Sequence, residues 1–134
     1  MSQTLGTVMV IDDEDIDQRQ YRRLLQRSGL VDDIVQFTYA DEALQWLMES
    51  PERKIDLILL DINIPRMNGF AFLAEATTKI PAFDAIVVIM LTTSLSPKDK
   101  EWADSLDCVR GYFNKPLTME HLEEALQLMH IAAT

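Results

Sequence analysis

The sequence lacks most features that would assign it to a specialised class of protein. Only one of its 134 residues is a cysteine, Cys108, so it has no internal disulfide and no cysteine-based metal site. Such a lone thiol is expected to be an apolar filler, because a reactive one needs a basic neighbourhood. The longest apolar run, residues 85–91, is far shorter than the ~20 residues that span a bilayer. The first residues also lack the pattern of a secretory signal, so a cytoplasmic protein is predicted.

Basic residues are scarce as well. Twelve Lys and Arg stand against 22 Asp and Glu, which gives a formal net charge of -10. A chain this acidic repels both the phosphates of nucleic acids and anionic membrane surfaces, so neither is expected as a partner. With four glycines, five prolines and 48% hydrophobic residues, the composition is that of a globular protein. We therefore expect one domain over residues 1–134, with no output domain attached.

Five short apolar runs recur along the chain, and each is followed by a helical pattern. The runs are residues 8–11, 34–37, 57–60, 86–91 and 109–113. Three of them show no alternation, which is typical of strands covered on both faces. Apolar residues share one face of the intervening helices at Tyr21, Leu24 and Leu25, at Ala43, Leu44, Leu47 and Met48, and at Leu122, Ala125, Leu126 and Met129. Ser96 and Thr118 are predicted to cap the last two helices.

This alternation predicts a strand–helix unit repeated five times. Right-handed crossovers then require a parallel sheet with helices on both faces. Five units are too few to close an eight-stranded barrel, so we predict an open, doubly wound α/β sheet.

In such sheets ligands bind beyond the carboxyl ends of the strands, so the residues that follow each strand are informative. Asp12 and Asp13 follow the first strand, Asp61 follows the third, Thr92 ends the fourth and Lys115 follows the fifth. If the first and third strands are neighbours, three carboxylates converge and need a cation to stay ionised together. Oxygen ligands without histidine or cysteine favour Mg²⁺.

A metal held by carboxylates beside a hydroxyl and a lysine suits a phosphoryl group, whose transfer depends mainly on positioning and charge neutralisation. Asp61 is the candidate nucleophile and would form an acyl phosphate. Mg²⁺ would bridge Asp13, Asp61 and a phosphoryl oxygen. Lys115 and Thr92 would contact the remaining phosphoryl oxygens.

Over roughly residues 5–132 the chain resembles the receiver domains of bacterial response regulators. The matching features are Asp12-Asp13, Asp61 within the segment Asp-Ile-Asn-Ile-Pro-Arg-Met-Asn-Gly of residues 61–69, Thr92, Tyr112 and Lys115-Pro116. The resemblance implies a flavodoxin-like fold, a five-stranded parallel sheet in the order 2-1-3-4-5 with five helices. Two departures stand out: Asp107-Cys108 replaces the Gly-Ala common before the fifth strand, and the stretch from Thr92 to Gly111 is about one residue longer than in chemotaxis-type members.

The resemblance also implies roles for individual residues. Asp61 corresponds to the phosphoacceptor, and Lys115 and Thr92 correspond to its phosphoryl contacts. Asp13, Asp61 and the backbone carbonyl of Asn63 would coordinate Mg²⁺, with Asp12 acting through a metal-bound water. A cis peptide bond is expected between Lys115 and Pro116.

Thr92 and Tyr112 occupy the switch positions of the family. Phosphorylation would then reshape the face built from the fourth helix, fifth strand and fifth helix, where an unknown downstream protein or a second copy of the chain would bind. Asn63 and Ser94 lie two positions beyond the acceptor and the threonine, where the family tunes the lifetime of the phosphoryl group. The donor would be a sensor histidine kinase or a histidine phosphotransfer protein, and the chain would not be a turnover enzyme.

Several surface features stay open at this point. The first helix carries four arginines, which form either a solvated face or a docking site for the phosphodonor: Arg19, Arg22, Arg23 and Arg27. Trp102 belongs either to the core or to the output face. His121 and His130 are expected to be surface residues, since neither has partners at metal-ligand spacing.

Three other functions compete with a phosphorylated switch. A phosphatase of the haloacid dehalogenase type places Asp-x-Asp after its first strand, whereas Asp61-Ile62-Asn63 follows the third and lacks the second carboxyl. A flavodoxin-like cofactor carrier needs a glycine- and hydroxyl-rich phosphate loop after the first strand, where this chain has four acids. A binding module on the same fold that works without phosphorylation remains an alternative.

Overall fold

The structure is a computed structural model that describes residues 4–133 of the chain. Within this range, strands and helices alternate along the sequence. The elements are β1 (Gly6–Ile11), α1 (Asp15–Ser28), β2 (Val31–Phe37), α2 (Ala40–Glu49), β3 (Leu57–Leu60), α3 (Gly69–Lys79), β4 (Val87–Thr92), α4 (Pro97–Ser105), β5 (Val109–Asn114) and α5 (Met119–Ala133), with a short 3₁₀ turn at Phe83–Ala85 before β4. None of the described helices is both long and apolar enough to cross a membrane.

The five strands form one parallel sheet in the order β2-β1-β3-β4-β5. This order confirms the doubly wound sheet and the 2-1-3-4-5 arrangement. Ile11 at the end of β1 lies opposite Leu60 at the end of β3, and Leu60 lies opposite Met90 in β4. The three central strands therefore end nearly in register, which brings the residues that follow them to one edge of the sheet.

Helices cover both faces of the sheet and enclose two apolar cores. All residues of β3 and β4 are buried, as the uninterrupted apolar runs predict. Alternate residues of β1 serve the two cores: Met9 and Ile11 pack on the side of α2 and α3, and Val8 and Val10 on the side of α1 and α5. The outer strand β2 is only partly buried, which is typical of an edge strand.

The helix ends follow local capping rules. Ser96 accepts a hydrogen bond from the amide of Asp99, and Thr118 accepts one from the amide of His121, so both predicted caps are confirmed. Gly29 ends α1 with a φ of 72°, a left-handed conformation that costs glycine little. Met48 departs from the predicted buried face, because it lies in the last turn of α2 and is 46% exposed.

Four residues singled out in the sequence have defined surroundings. His121 is half-buried rather than a free surface residue, since its ring stacks on Phe113 at 4.4 Å, whereas His130 is exposed as expected. Trp102 is 52% exposed and stacks on Phe70 of α3, with 4.1 Å between ring centroids. Cys108 is half-buried, and burial raises the pKa of its thiol, which fits an unreactive filler.

Candidate functional site

Backbone hydrogen bonds between neighbouring strands continue past the strand ends and position the residues that follow. The amide of Asp61 donates to the carbonyl of Ile11 at 3.1 Å, which fixes Asp61 beside the end of β1. The amide of Lys115 donates to the carbonyl of Thr92 at 3.0 Å, which ties the end of β5 to that of β4. The peptide bond between Lys115 and Pro116 is cis, as the resemblance implied.

Three carboxylates converge at this edge, and we call them the carboxylate cluster: Asp12, Asp13 and Asp61. One oxygen from each lies within 4.8 Å of the others. Asp12 and Asp61 are buried and Asp13 is half-buried. Three hard oxygen donors without nitrogen or sulfur, open to solvent on one side, fit Mg²⁺, which keeps several waters when it binds protein. The structure thus brings together the three carboxylates that the sequence assigned to a metal.

Lys115 lies among these acids with its side chain only 8% exposed. Its Nζ contacts Oδ2 of Asp12 at 2.7 Å, Oδ2 of Asp61 at 3.0 Å and Oδ2 of Asp17 at 3.1 Å. Burial alone would lower the pKa of the ammonium group, but hydrogen bonds to and charges on Asp12 and Asp61 outweigh it and raise the pKa. Lys115 is therefore a permanent cation that offsets part of the carboxylate charge.

Asp12 is held from two sides in addition to Lys115. Its Oδ1 accepts a hydrogen bond from the amide of Glu14 at 2.9 Å, and its Oδ2 accepts one from the hydroxyl of Tyr21 at 2.8 Å. Burial, together with the charge of Asp12, raises the pKa of the Tyr21 phenol, so this hydroxyl stays a donor. Both oxygens of Asp12 are thus engaged by the protein itself.

Asp61 depends on a glycine for its position. Its Oδ1 accepts a hydrogen bond from the amide of Ile62 at 2.8 Å, which leaves Oδ2 directed to Lys115. The start of α3 packs directly on this backbone, because a Cβ on Gly69 would lie 2.5 Å from the carbonyl oxygen of Asp61. Any other residue at position 69 would push apart the helix and the segment that carries Asp61.

The loop from β3 to α3 carries Asn63, which is exposed. Arg66 in the same loop has a φ of 75°, an unusual value for a residue with a side chain. Its guanidinium lies 4.0 Å from the ring centroid of Tyr39 and pairs with Asp41 at the start of α2. These contacts attach Arg66 of the loop to the start of α2.

A second group of polar side chains lies on β4, β5 and the segment after β4, and we call it the hydroxyl cluster: Thr92, Ser94 and Tyr112. Thr92 is fully buried, and its hydroxyl oxygen accepts a hydrogen bond from the amide of Ser94 at 3.1 Å. The hydroxyl of Ser94 donates to Asp99 of α4 at 2.6 Å. The position two beyond the threonine is thereby connected to α4.

Tyr112 is half-buried and packs against the core on the side of α2 and α3. Its hydroxyl donates to the carbonyl of Ser94 at 3.3 Å, and the ammonium of Lys100 lies 5.5 Å from the centroid of its ring. The ring also borders a cleft of about 260 Å³ next to Leu95, whose side chain is 86% exposed. Tyr112 therefore lies between the core and an open cleft.

The four arginines of α1 are all exposed. Arg22 donates from Nε to the side chain of Gln36 in β2 at 2.7 Å, so part of this run is used within the fold. The side chains of the remaining three arginines face solvent.

Two contributors to the site were missed from the sequence, Asp17 and Tyr21. Both lie on the face of α1 that points at the strand ends, four residues apart and thus on adjacent turns. Tyr21 was predicted as an apolar core residue, and its ring is buried, but its hydroxyl reaches Asp12. The spacing of four residues between Asp17 and Tyr21 could have placed them on one face of α1, but could not have shown that this face meets the strand ends.

Comparison with known proteins gives one consistent result. Residues 8–127 match the family model described as the response regulator receiver domain. The chain is 27% identical to Protein PilH of Pseudomonas aeruginosa, over 88% of this chain and 92% of that protein. It is 29% identical to the hydrogenase transcriptional regulatory protein HoxA of Cupriavidus necator, and this match covers 95% of this chain but only 24% of that protein.

The fold leads to the same family. A crystal structure of a two-component response regulator from Cytophaga hutchinsonii superimposes with a TM-score of 0.88 and 26% identity, over 96% of this chain and 99% of that one. The family match spans most of the chain and includes every strand end that carries a predicted site residue. The chain therefore belongs to the response regulator receiver domain family, a family of two-component signalling.

Proposed function

We propose that this receiver accepts a phosphoryl group on Asp61 in a Mg²⁺-dependent reaction and signals through the resulting change of shape. The observation that carries the proposal is the buried carboxylate of Asp61, with Lys115 on one oxygen and two further carboxylates within 4.8 Å. A carboxylate so placed has a cation beside it, and the three carboxylates together could hold a second one, as phosphoryl transfer requires.

In the proposed reaction, a carboxylate oxygen of Asp61 attacks the phosphorus of the donor. The new oxygen–phosphorus bond forms while the bond from phosphorus to the donor breaks, and the donor leaves with that electron pair. From acetyl phosphate the leaving group is acetate, which needs no proton. Asp12, Asp13, Asp61 and the backbone carbonyl of Asn63 would hold Mg²⁺, with Asp12 acting through a water. Bound Mg²⁺ supplies positive charge that neutralises the phosphoryl oxygens.

The protein's own donors complete the proposed site. Lys115 is already beside Asp61 and would donate to one phosphoryl oxygen. Thr92 ends the neighbouring strand, and its hydroxyl would donate to another after turning from its present contact with the amide of Ser94. Both residues would stabilise charge on the transferred group and not react themselves.

Movement of Thr92 is the proposed link to the output surface. Its oxygen is joined through Ser94 to Asp99 of α4, and Tyr112 donates to the carbonyl of the same serine. A shift of Thr92 would therefore act on both α4 and β5. Ser94 and Asn63 would tune the lifetime of the acyl phosphate.

The partners follow from this chemistry. We propose that a sensor histidine kinase or a histidine phosphotransfer protein in the cytoplasm supplies the phosphoryl group. A downstream protein, or a second copy of the chain, would bind the face of α4, β5 and α5 after phosphorylation. The chain would not turn over a substrate as an enzyme does, since the phosphoryl group stays on its own side chain.

Intact-mass measurement after incubation with Mg²⁺ and acetyl phosphate tests the proposal. The wild-type protein should gain the mass of one phosphoryl group, and Asp61→Asn should gain none. Asp104→Asn, which removes an exposed carboxylate of α4, should behave as the wild type. A wild-type chain that gains no mass would favour a binding module that works without phosphorylation. A mass gain that persists in Asp61→Asn would contradict Asp61 as the acceptor.

A further inference from the structure

The ammonium group of Lys115 is surrounded by carboxylates. Nζ donates hydrogen bonds to Asp17 and Asp61 and forms an ion pair with Asp12 at 2.7 Å. A phosphoryl oxygen that arrives next to Asp61 therefore competes with these carboxylates for the N–H bonds of Lys115.

The three partners differ in how firmly they are held. The side chain of Asp12 is 2% exposed and also accepts hydrogen bonds from the Tyr21 hydroxyl and the Glu14 amide. The side chain of Asp61 is 9% exposed and is the proposed acceptor itself. Asp17 is 31% exposed and makes the longest of the three contacts, so water can replace Lys115 there at the smallest cost.

We propose that Asp17 is a positioning residue, which holds one N–H donor of Lys115 before reaction and gives it up to the phosphoryl oxygen afterwards. This inference rests on the proposed phosphorylation of Asp61. Before reaction, Asp17 draws Nζ to the α1 side of the site, and Asp61 and Asp12 hold it from the other sides. After reaction, the charge of the phosphoryl group repels the Asp17 carboxylate toward solvent while Lys115 turns to the new oxygen.

Removal of the Asp17 charge should speed phosphorylation by small donors. In Asp17→Asn, a neutral amide replaces the carboxylate, so Lys115 is released more easily and the anionic donor meets one negative charge fewer. We expect the rate with acetyl phosphate and Mg²⁺ to rise roughly threefold, because a partly exposed charge contact is screened by water. The gain should shrink in high salt, and Asp17→Glu, which keeps a carboxylate, should return toward the wild-type rate.

Asp15→Asn is the matched control. It makes the same change of charge in the first turn of the same helix, but Asp15 is exposed and is not a partner of Lys115. A general effect of charge or of the helix dipole would change the rate equally in both variants. An effect through Lys115 should be seen only in Asp17→Asn.

A second measurement uses no metal and no phosphodonor. In protein labelled with ¹⁵N-lysine, hydrogen exchange at the ammonium group of Lys115 should be faster in Asp17→Asn than in the wild type, and unchanged in Asp15→Asn. Normal phosphorylation of the wild type with equal rates and equal exchange in the two Asn variants would overturn the role of Asp17 alone. A wild-type chain that cannot be phosphorylated would instead contradict the proposed function, and with it the exchange of partners.

Discussion

The carboxylate cluster and the hydroxyl cluster lie at the same edge of the sheet but are held very differently. In the carboxylate cluster, Asp12 and Asp61 are buried, and their contacts with Lys115 measure 2.7 and 3.0 Å. In the hydroxyl cluster, only Thr92 is fully buried, and Tyr112 is half-exposed with a hydrogen bond of 3.3 Å. One group is charged and shares a buried cation, whereas the other is uncharged and includes the half-exposed Ser94 and Tyr112.

This difference fits the two proposed roles, in which the carboxylate cluster accepts the phosphoryl group and the hydroxyl cluster transmits the resulting change. Groups that receive a phosphoryl group work best when they are preorganised, because no free energy is then spent on arranging them during the reaction. Groups that transmit a change must have a second arrangement of similar free energy, which weak contacts and partial exposure permit. The comparison predicts that removing a partner of the buried carboxylates lowers stability more than removing the hydroxyl of Tyr112.

Removal of the buried ammonium group should give the largest effect. Lys115→Met keeps most of the side-chain volume but leaves Asp12, Asp17 and Asp61 without their shared cation. We expect the free energy of unfolding to fall by about 3 kcal/mol without Mg²⁺, at the lower end of the range for breaking a buried ion pair. Urea unfolding followed by circular dichroism measures this change.

Lys100→Met is the control, because it removes a lysine whose pair with Asp104 is exposed. An exposed pair of this kind contributes about 0.3–0.5 kcal/mol. Equal losses for the two variants would mean that the carboxylate cluster is no more tightly coupled to folding than the surface of α4.

Addition of Mg²⁺ should stabilise the wild type by binding the folded state. At a concentration one hundred times the dissociation constant, linkage predicts a gain of about 2.7 kcal/mol, measured as a higher midpoint of unfolding. Asp13→Asn should lose most of this gain, since Asp13 is the member of the carboxylate cluster most open to solvent. A gain that is identical in Asp13→Asn would place the ion elsewhere on this acidic chain.

Tyr21→Phe tests the support behind Asp12. The substitution keeps the buried ring and removes only the hydroxyl that donates to Asp12 at 2.8 Å. Because hydrogen bonds to charged groups contribute about 1.5–3 kcal/mol, we expect a loss near the lower value, as Lys115 and the amide of Glu14 still hold Asp12. A loss below the error of urea unfolding would show that the hydroxyl does not support Asp12.

The strand ends explain why so much of the site could be predicted from the sequence. In a parallel sheet, the residue after each strand must lie at the carboxyl edge, so Asp12, Asp61 and Lys115 could be placed from hydrophobic runs alone. The strand order then brings Asp12 and Asp61 together, since β1 and β3 are neighbours. Local rules likewise gave the caps at Ser96 and Thr118.

The contributions of α1 could not be derived in the same way. Periodicity identified the buried face of the helix, but how α1 crosses the strand ends depends on packing of the whole domain. That packing brings Asp17 to Lys115 and the hydroxyl of Tyr21 to Asp12. The prediction that Met48 lies on the buried face of α2 was wrong for a related reason. A helix face is buried only as far as the neighbouring elements cover it.

Tyr112→Phe completes the comparison with the smallest expected effect. It removes one hydroxyl, as Tyr21→Phe does, but here the lost bond is 3.3 Å long and the ring is half-exposed. Water can replace the lost donor at the carbonyl of Ser94, so the free energy of unfolding should change by less than about 0.5 kcal/mol. If urea unfolding instead gives equal losses for the two tyrosine variants, the hydroxyl cluster is as firmly held as the carboxylate cluster. A rigid Tyr112 could not then act as the moving part of a switch, because its two positions would differ too much in free energy.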